Sequence, residues 1–80
     1  MTIEDVSQKI NEFLAEEFET DIATITPNAP LKETLELDSL DYIDLVVILE
    51  GNFGIKVRQE EFTSIVTFND LYQYVVSKMQ

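Results

Sequence analysis

Asp38-Ser39-Leu40-Asp41 is the stretch whose residue types and spacing suggest chemistry. It sets a hydroxyl between two acids at the mouth of a predicted helix, which runs on as Tyr42-Ile43-Asp44-Leu45-Val46-Val47-Ile48-Leu49-Glu50. A serine at a helix start usually serves as a cap, its oxygen accepting the orphan backbone N–H groups of the first turn. Asp38 is an equally good cap. If Asp38 takes that role, with Asp41 three residues on, Ser39 stands on the first turn with its hydroxyl outward. A phosphoryl group placed there would meet the free N–H groups and the positive end of the helix. The two acids would repel it, so attachment calls for a separate enzyme, with a metal ion to neutralise charge during transfer. The chain holds no histidine and the local sequence holds no lysine to activate the hydroxyl. Ser39 therefore reads as an attachment point that another enzyme modifies, and the chain as a substrate rather than an enzyme.

Composition narrows the partners. With 5 basic and 16 acidic residues among 80, the net charge is −11. Nucleic acid and anionic membrane carry the same sign and are excluded as expected partners. Basic protein surfaces, reached by electrostatic steering, are favoured. The absence of cysteine rules out disulfides and thiolate metal sites, and without histidine no conventional hydrolytic triad can be assembled. The start of the chain is acidic and lacks a secretory pattern. The longest apolar run, Leu45 to Leu49, is far too short to cross a bilayer. A soluble, cytoplasmic, monomeric single domain over residues 1–80 is expected.

The elements that must position Ser39 follow from periodicity. Ile3, Val6, Ile10, Phe13, Leu14 and Phe18 recur at helical spacing behind a box-like Thr2/Asp5 start, predicting a helix over 3–18. Residues 20–37 read as a long connection interrupted by Pro27 and Pro30, with Ile25, Leu31 and Leu35 as buried anchors and disorder as the alternative. Within it, Leu31 to Leu37 is read as a short loop that delivers the chain to the next helix. That helix starts at Asp38 or Ser39 and stops near Phe53, before Gly54. Tyr42, Leu45, Val46, Leu49 and Phe53 share one side. Leu40, Asp41, Asp44, Val47, Ile48 and Gly51 share the other, either as a mixed acid and apolar docking face or as a face covered by the loop or another helix. Ile55-Lys56-Val57 reads as an extended link. A short third helix is predicted over 59–65, and a last one over 68–78 behind a Thr67/Asp70 box, with Phe68, Leu71, Tyr72 and Val75 inward. The predicted fold is all-α: a small bundle of three main helices plus one short one, with a long loop between the first two.

Leu37-Asp38-Ser39-Leu40-Asp41-Tyr42-Ile43-Asp44-Leu45-Val46 resembles the prosthetic-group site of acyl carrier proteins, whose core motif is Asp-Ser-Leu followed by an acidic helix. The similarity extends over most of the chain, including helix order, length and acidity. It implies that Ser39 carries 4'-phosphopantetheine through a phosphodiester, installed by a phosphopantetheinyl transferase that uses coenzyme A. The arm's thiol would hold an acyl group as a thioester. The resemblance further implies that Asp38, Leu40, Asp41, Asp44, Val47 and Glu50 dock basic patches on the transferase and on acyl-transfer and chain-elongating enzymes of fatty-acid or related synthesis. Acyl chains in this family fold back between helices, with Leu49, Val57, Ile65 and Leu71 as lining candidates, although core packing explains these residues equally well. Two departures stand out. Glu36 replaces a common glycine three residues before the serine, implying a different loop geometry. Gly51-Asn52 stands where acids are more usual.

Three rival readings use the same residues. One is an aminoacyl or polyketide carrier of the same design. Another is an unmodified helical interaction module in which Ser39 is only a cap. The third is a calcium site at Asp38, Asp41 and Asp44, but their spacing does not match an EF-hand loop, and no metal site is expected.

Overall fold

The computed structural model describes residues 2–79; the expected domain ends, Met1 and Gln80, lie outside the described residues. The elements are α1 (Ile3–Glu17), a 3-10 turn (Ile22–Thr24), α2 (Leu31–Leu35), α3 (Ser39–Phe53), a 3-10 segment (Gln59–Ser64) and α4 (Phe68–Met79). No strand occurs among the described residues, and a lone antiparallel bridge joins Pro30 to Thr67. The all-α prediction and its three long helices hold.

One assignment is corrected. The stretch Leu31 to Leu37, expected as a loop, opens with α2, which is too short to display a period. The short helix expected over 59–65 is present as a 3-10 helix over Gln59–Ser64.

Local chemistry explains where the long helices start. Thr2 and Asp5 exchange side-chain and backbone hydrogen bonds at the head of α1, and Asp38 and Asp41 do so at the head of α3. Thr67 and Asp70 do the same at α4, where the Asp70 carboxylate also accepts from Val66 N. The backbone donors of Thr67 and Val66 hold the Asp70 carboxyl below its ordinary range. Each such box satisfies orphan donors and contributes about 0.5–2 kcal/mol to its helix.

Burial explains how the helices meet. Val6, Ile10 and Leu14 form the inner stripe of α1, and Phe68, Leu71, Tyr72 and Val75 that of α4, against which α1 packs. Leu45 and Leu49 of α3 close the same core. Tyr72 donates its hydroxyl to Asn11 Oδ1, which lets a phenol lie between α1 and α4 without an unpaired polar atom. The connection from α1 to α3 is pinned: Ile25, Leu31, Leu35 and Leu37 are all buried. Each such side chain contributes about 1.5–3 kcal/mol on burial. Its backbone is stitched to the start of α4 as well, through Leu31 N to Val66 O (2.9 Å), Phe68 N to Ala29 O (3.2 Å) and Asn69 N to Pro27 O (2.9 Å). These ties answer the disorder alternative and set α2 beside the head of α3.

Candidate functional site

Asp38 does the capping at the head of α3. Its Oδ1 accepts from Leu40 N (2.9 Å) and Asp41 N (3.0 Å), while Asp38 N donates to Asp41 Oδ2 (3.1 Å). The backbone donors that a serine cap would satisfy are taken. Ser39 is exposed, and its hydroxyl makes no hydrogen bond to any described residue. A residue equally suited by type to cap the helix is thereby released for other work.

Glu36 delivers the chain to this point. It ends α2 in the left-handed conformation, φ 54° and ψ 49°, with Leu37 N donating to Lys32 O (3.0 Å). The expectation that Glu36 imposes a different geometry from glycine is therefore corrected. The glutamate adopts the backbone that glycine would, because burial of Leu35 and Leu37 on either side overrides a local strain of about 1–2 kcal/mol.

A cleft of about 470 Å³ opens beside Ser39, lined by Lys32, Glu33, Tyr42, Phe62, Ile65 and Val66. Its apolar wall is stiffened by a row of rings: Tyr42 to Phe62 at 6.0 Å between centroids and Phe62 to Tyr74 at 5.9 Å. Burial, then the nearby Glu33 charge, push the Tyr42 phenol above its ordinary value, so it remains a neutral O–H at pH 7. Of the lining candidates named from sequence, Ile65 is in the wall. Leu49 and Leu71 are not; both are fully buried in the core, and Val57 is half-buried outside the lining. Lys32 was missed. No lysine adjoins Ser39 in sequence, but α2 folds one onto the same cleft.

The outer face of α3 is open. Leu40 is 70% exposed and Val47 62%, with Asp44 exposed between them and Ile48 half-buried. Among the described residues no loop or helix covers Leu40 or Val47, which removes for these two the alternative that they are packed inside. Ile43, 46% exposed, extends the patch and was left out of the sequence-based set. Its place one turn after Leu40 and one turn before Val47 was the available signal. Three expected docking residues carry structural duties, the exposed Asp38 as the cap already described. Asp41 is half-buried in the capping box, and half-buried Glu50 accepts from Val57 N (3.0 Å), tying the end of α3 to the extended link. Gly51 faces open space, with nothing beyond its chain neighbours and its own helix backbone within 4 Å of where a Cβ would stand, so its departure from the usual acid alters surface charge and not packing. Asp38, Asp41 and Asp44 do not converge: among the described residues no group of three or more acids could hold a metal ion. Among the described residues no helix is long and apolar enough to cross a membrane.

Comparison with known proteins agrees with this geometry. A family model described as a phosphopantetheine attachment site matches residues 8–75. The chain is 40% identical over 76 residues to the acyl carrier protein of Rubrobacter xylanophilus, spanning 95% of this chain and 94% of that one. It is 38% identical over 77 residues to acyl carrier protein 2 of Ralstonia nicotianae, spanning 96% and 95%. The solved structure of the acyl carrier protein from Enterococcus faecalis superposes with a TM-score of 0.79 at 29% identity, covering 98% of this chain and 99% of that one.

Proposed function

The chain belongs to the acyl carrier protein family, and from that premise we propose that Ser39 is where it carries 4'-phosphopantetheine, attached by a separate phosphopantetheinyl transferase. The Ser39 oxygen bonds to the pantetheine-side phosphorus of the coenzyme A pyrophosphate, the P–O bond to the nucleotide phosphate breaks, the hydroxyl proton passes to a base of the transferase, and the adenosine bisphosphate departs. The residues present fit such a group: the hydroxyl is exposed and unengaged, and the adjoining cleft has room and an apolar wall. When bound, the arm supplies the thiol that this cysteine-free chain lacks, and on it acyl groups ride as thioesters. The protein itself is a carrier and not a catalyst. Its own residues hold the attachment point on the rigid first turn of α3 and offer an apolar cleft beside it.

The reading extends to partners. The transferase and the acyl-transfer and chain-elongating enzymes of fatty-acid-type synthesis meet the Leu40, Ile43, Asp44 and Val47 face with basic surfaces, while Asp38, Asp41 and Glu50 add charge at its edges. The acids speed encounter and the apolar residues supply desolvated contact. The carrier acts in the cytoplasm as a monomeric single domain. Family membership favours this over an unmodified interaction module.

The observation that carries the proposal is the exchange of roles at the head of α3, where Asp38 caps and Ser39 is left free. Intact-mass measurement after incubation with a broad-specificity transferase and coenzyme A tests it. The wild-type chain should gain one arm and Ser39→Ala none. An unmodified wild type, or a modified Ser39→Ala, would sink the proposal.

A further inference from the structure

A phosphodiester on Ser39 would stand among carboxylates. Asp38 and Asp41 flank it, Glu33 lines the same cleft, and Glu36 lies just before it in the chain. Each carries a charge of the same sign as the phosphodiester, and like charges close together repel. Something of opposite sign is needed nearby, and the chain has only five basic residues. Two are engaged elsewhere: Lys9 lies over the Phe53 ring, and Lys78 pairs with Glu61 at 3.2 Å. Lys32 is the basic residue that lines the cleft with Ser39. It is exposed and makes no ion pair among the described residues.

The fold places it there for a reason visible in α2. Leu31 and Leu35, one turn apart, are buried, which pins that face of the helix inward and turns Lys32 and Glu33 out toward the cleft. The left-handed step at Glu36 then folds Asp38-Ser39 back alongside. The primary sequence separates Lys32 from Ser39 by more than a helical turn, and the α2 to α3 corner removes that separation.

We infer that Lys32 is a positioning residue for the phosphoryl group carried on Ser39. This rests on the attachment proposed above. The ammonium offsets the charge that Asp38, Asp41 and Glu33 oppose. It draws the first part of the arm toward the wall of Tyr42, Phe62, Ile65 and Val66, and away from open solvent. Glu33 competes for the same ammonium, so the hold is weak and salt-sensitive, as suits an arm that must also leave the cleft.

The test uses the full chain loaded enzymatically, in wild type, Lys32→Gln, Lys32→Arg and Lys56→Gln, with intact mass confirming the arm on each. Phosphorus NMR reads the phosphodiester, and proton contacts between the arm and the Tyr42 and Phe62 rings report its position. Lys32→Gln should shift the phosphorus resonance by more than its line width and lose most of the ring contacts. Lys32→Arg should restore both, and Lys56→Gln should change neither. High salt on the wild type should mimic Lys32→Gln, a readout that needs no variant to fold. An arm present by mass, with resonance and contacts unchanged in Lys32→Gln or changed equally in Lys56→Gln, overturns the role of Lys32 and leaves the carrier reading intact. An arm absent from the wild type overturns both.

Discussion

Helices α1 and α3 are each 15 residues long and each opens with a capping box, yet they distribute their apolar residues in opposite ways. In α1 the stripe of Val6, Ile10 and Leu14 is buried, and of its large apolar residues only Ile3 is exposed. In α3 Leu45 and Leu49 are buried, while Leu40, Ile43 and Val47 face solvent. The core has room for one face of each helix, so the apolar surplus of α3 goes outward. Such an exposed apolar surplus invites association between copies, which the net charge of −11 and an acid set into the patch oppose. Asp44 sits among those residues. One helix buries its apolar stripe in the bundle, and the other leaves an acid-and-apolar face open, the face proposed above for docking.

The comparison breaks first at the level of stability. Leu14→Ala should cost about 2–5 kcal/mol, enough to unfold much of so small a domain, whereas Val47→Ala should stay within about 0.5 kcal/mol. Urea unfolding of the two variants decides it, and equal losses would mean that the outer face of α3 is packed in solution. At the level of encounter, Asp44→Lys is the cleaner charge probe, because Asp41 belongs to the capping box and its replacement would also loosen α3. It should lower kcat/KM for arm attachment roughly three- to tenfold at low salt and flatten the salt dependence, with helicity kept. Unchanged kinetics would put the docking surface elsewhere. The smallest effect concerns how the chain leaves each helix. α1 exits through Glu19 and α2 through Glu36, both left-handed at φ 51° and 54°, while α3 exits through Gly54 at φ 65°. Glu36→Gly and Glu19→Gly should each stabilise by about 0.5–1 kcal/mol, strain relief outweighing the added freedom of the unfolded chain. Thermal melts that show a loss for Glu36→Gly alone would mean that its side chain, not only its backbone, supports the approach to Ser39.

Much of this was legible in order of residues because the signals are local. Capping boxes act over three residues, and the long helices repeat their apolar pattern for several turns, so α1, α3 and α4 could be bounded to within a residue or so. The cap exchange between Asp38 and Ser39 could be stated as a condition, since both candidates sit side by side. The connection resisted reading for a physical reason. A five-residue helix has no period, and the 3-10 segment over 59–64 has too few residues to separate its geometry from an α turn. Glu36 was misjudged because a backbone preference of a kcal/mol or two is outweighed by flanking buried leucines, which propensity alone does not weigh.

The order of residues by itself determined the all-helical class, the placement of the acids, and the serine offered at the head of α3, because these depend on neighbours within a turn or two. Which residues line the cleft was decided only by tertiary structure. Leu49 and Leu71 went to the core, Phe62 and Val66 to the wall, and Lys32 to the side of Ser39, because those placements depend on how α2 folds back against α3, through burial and backbone hydrogen bonds between segments far apart in the chain.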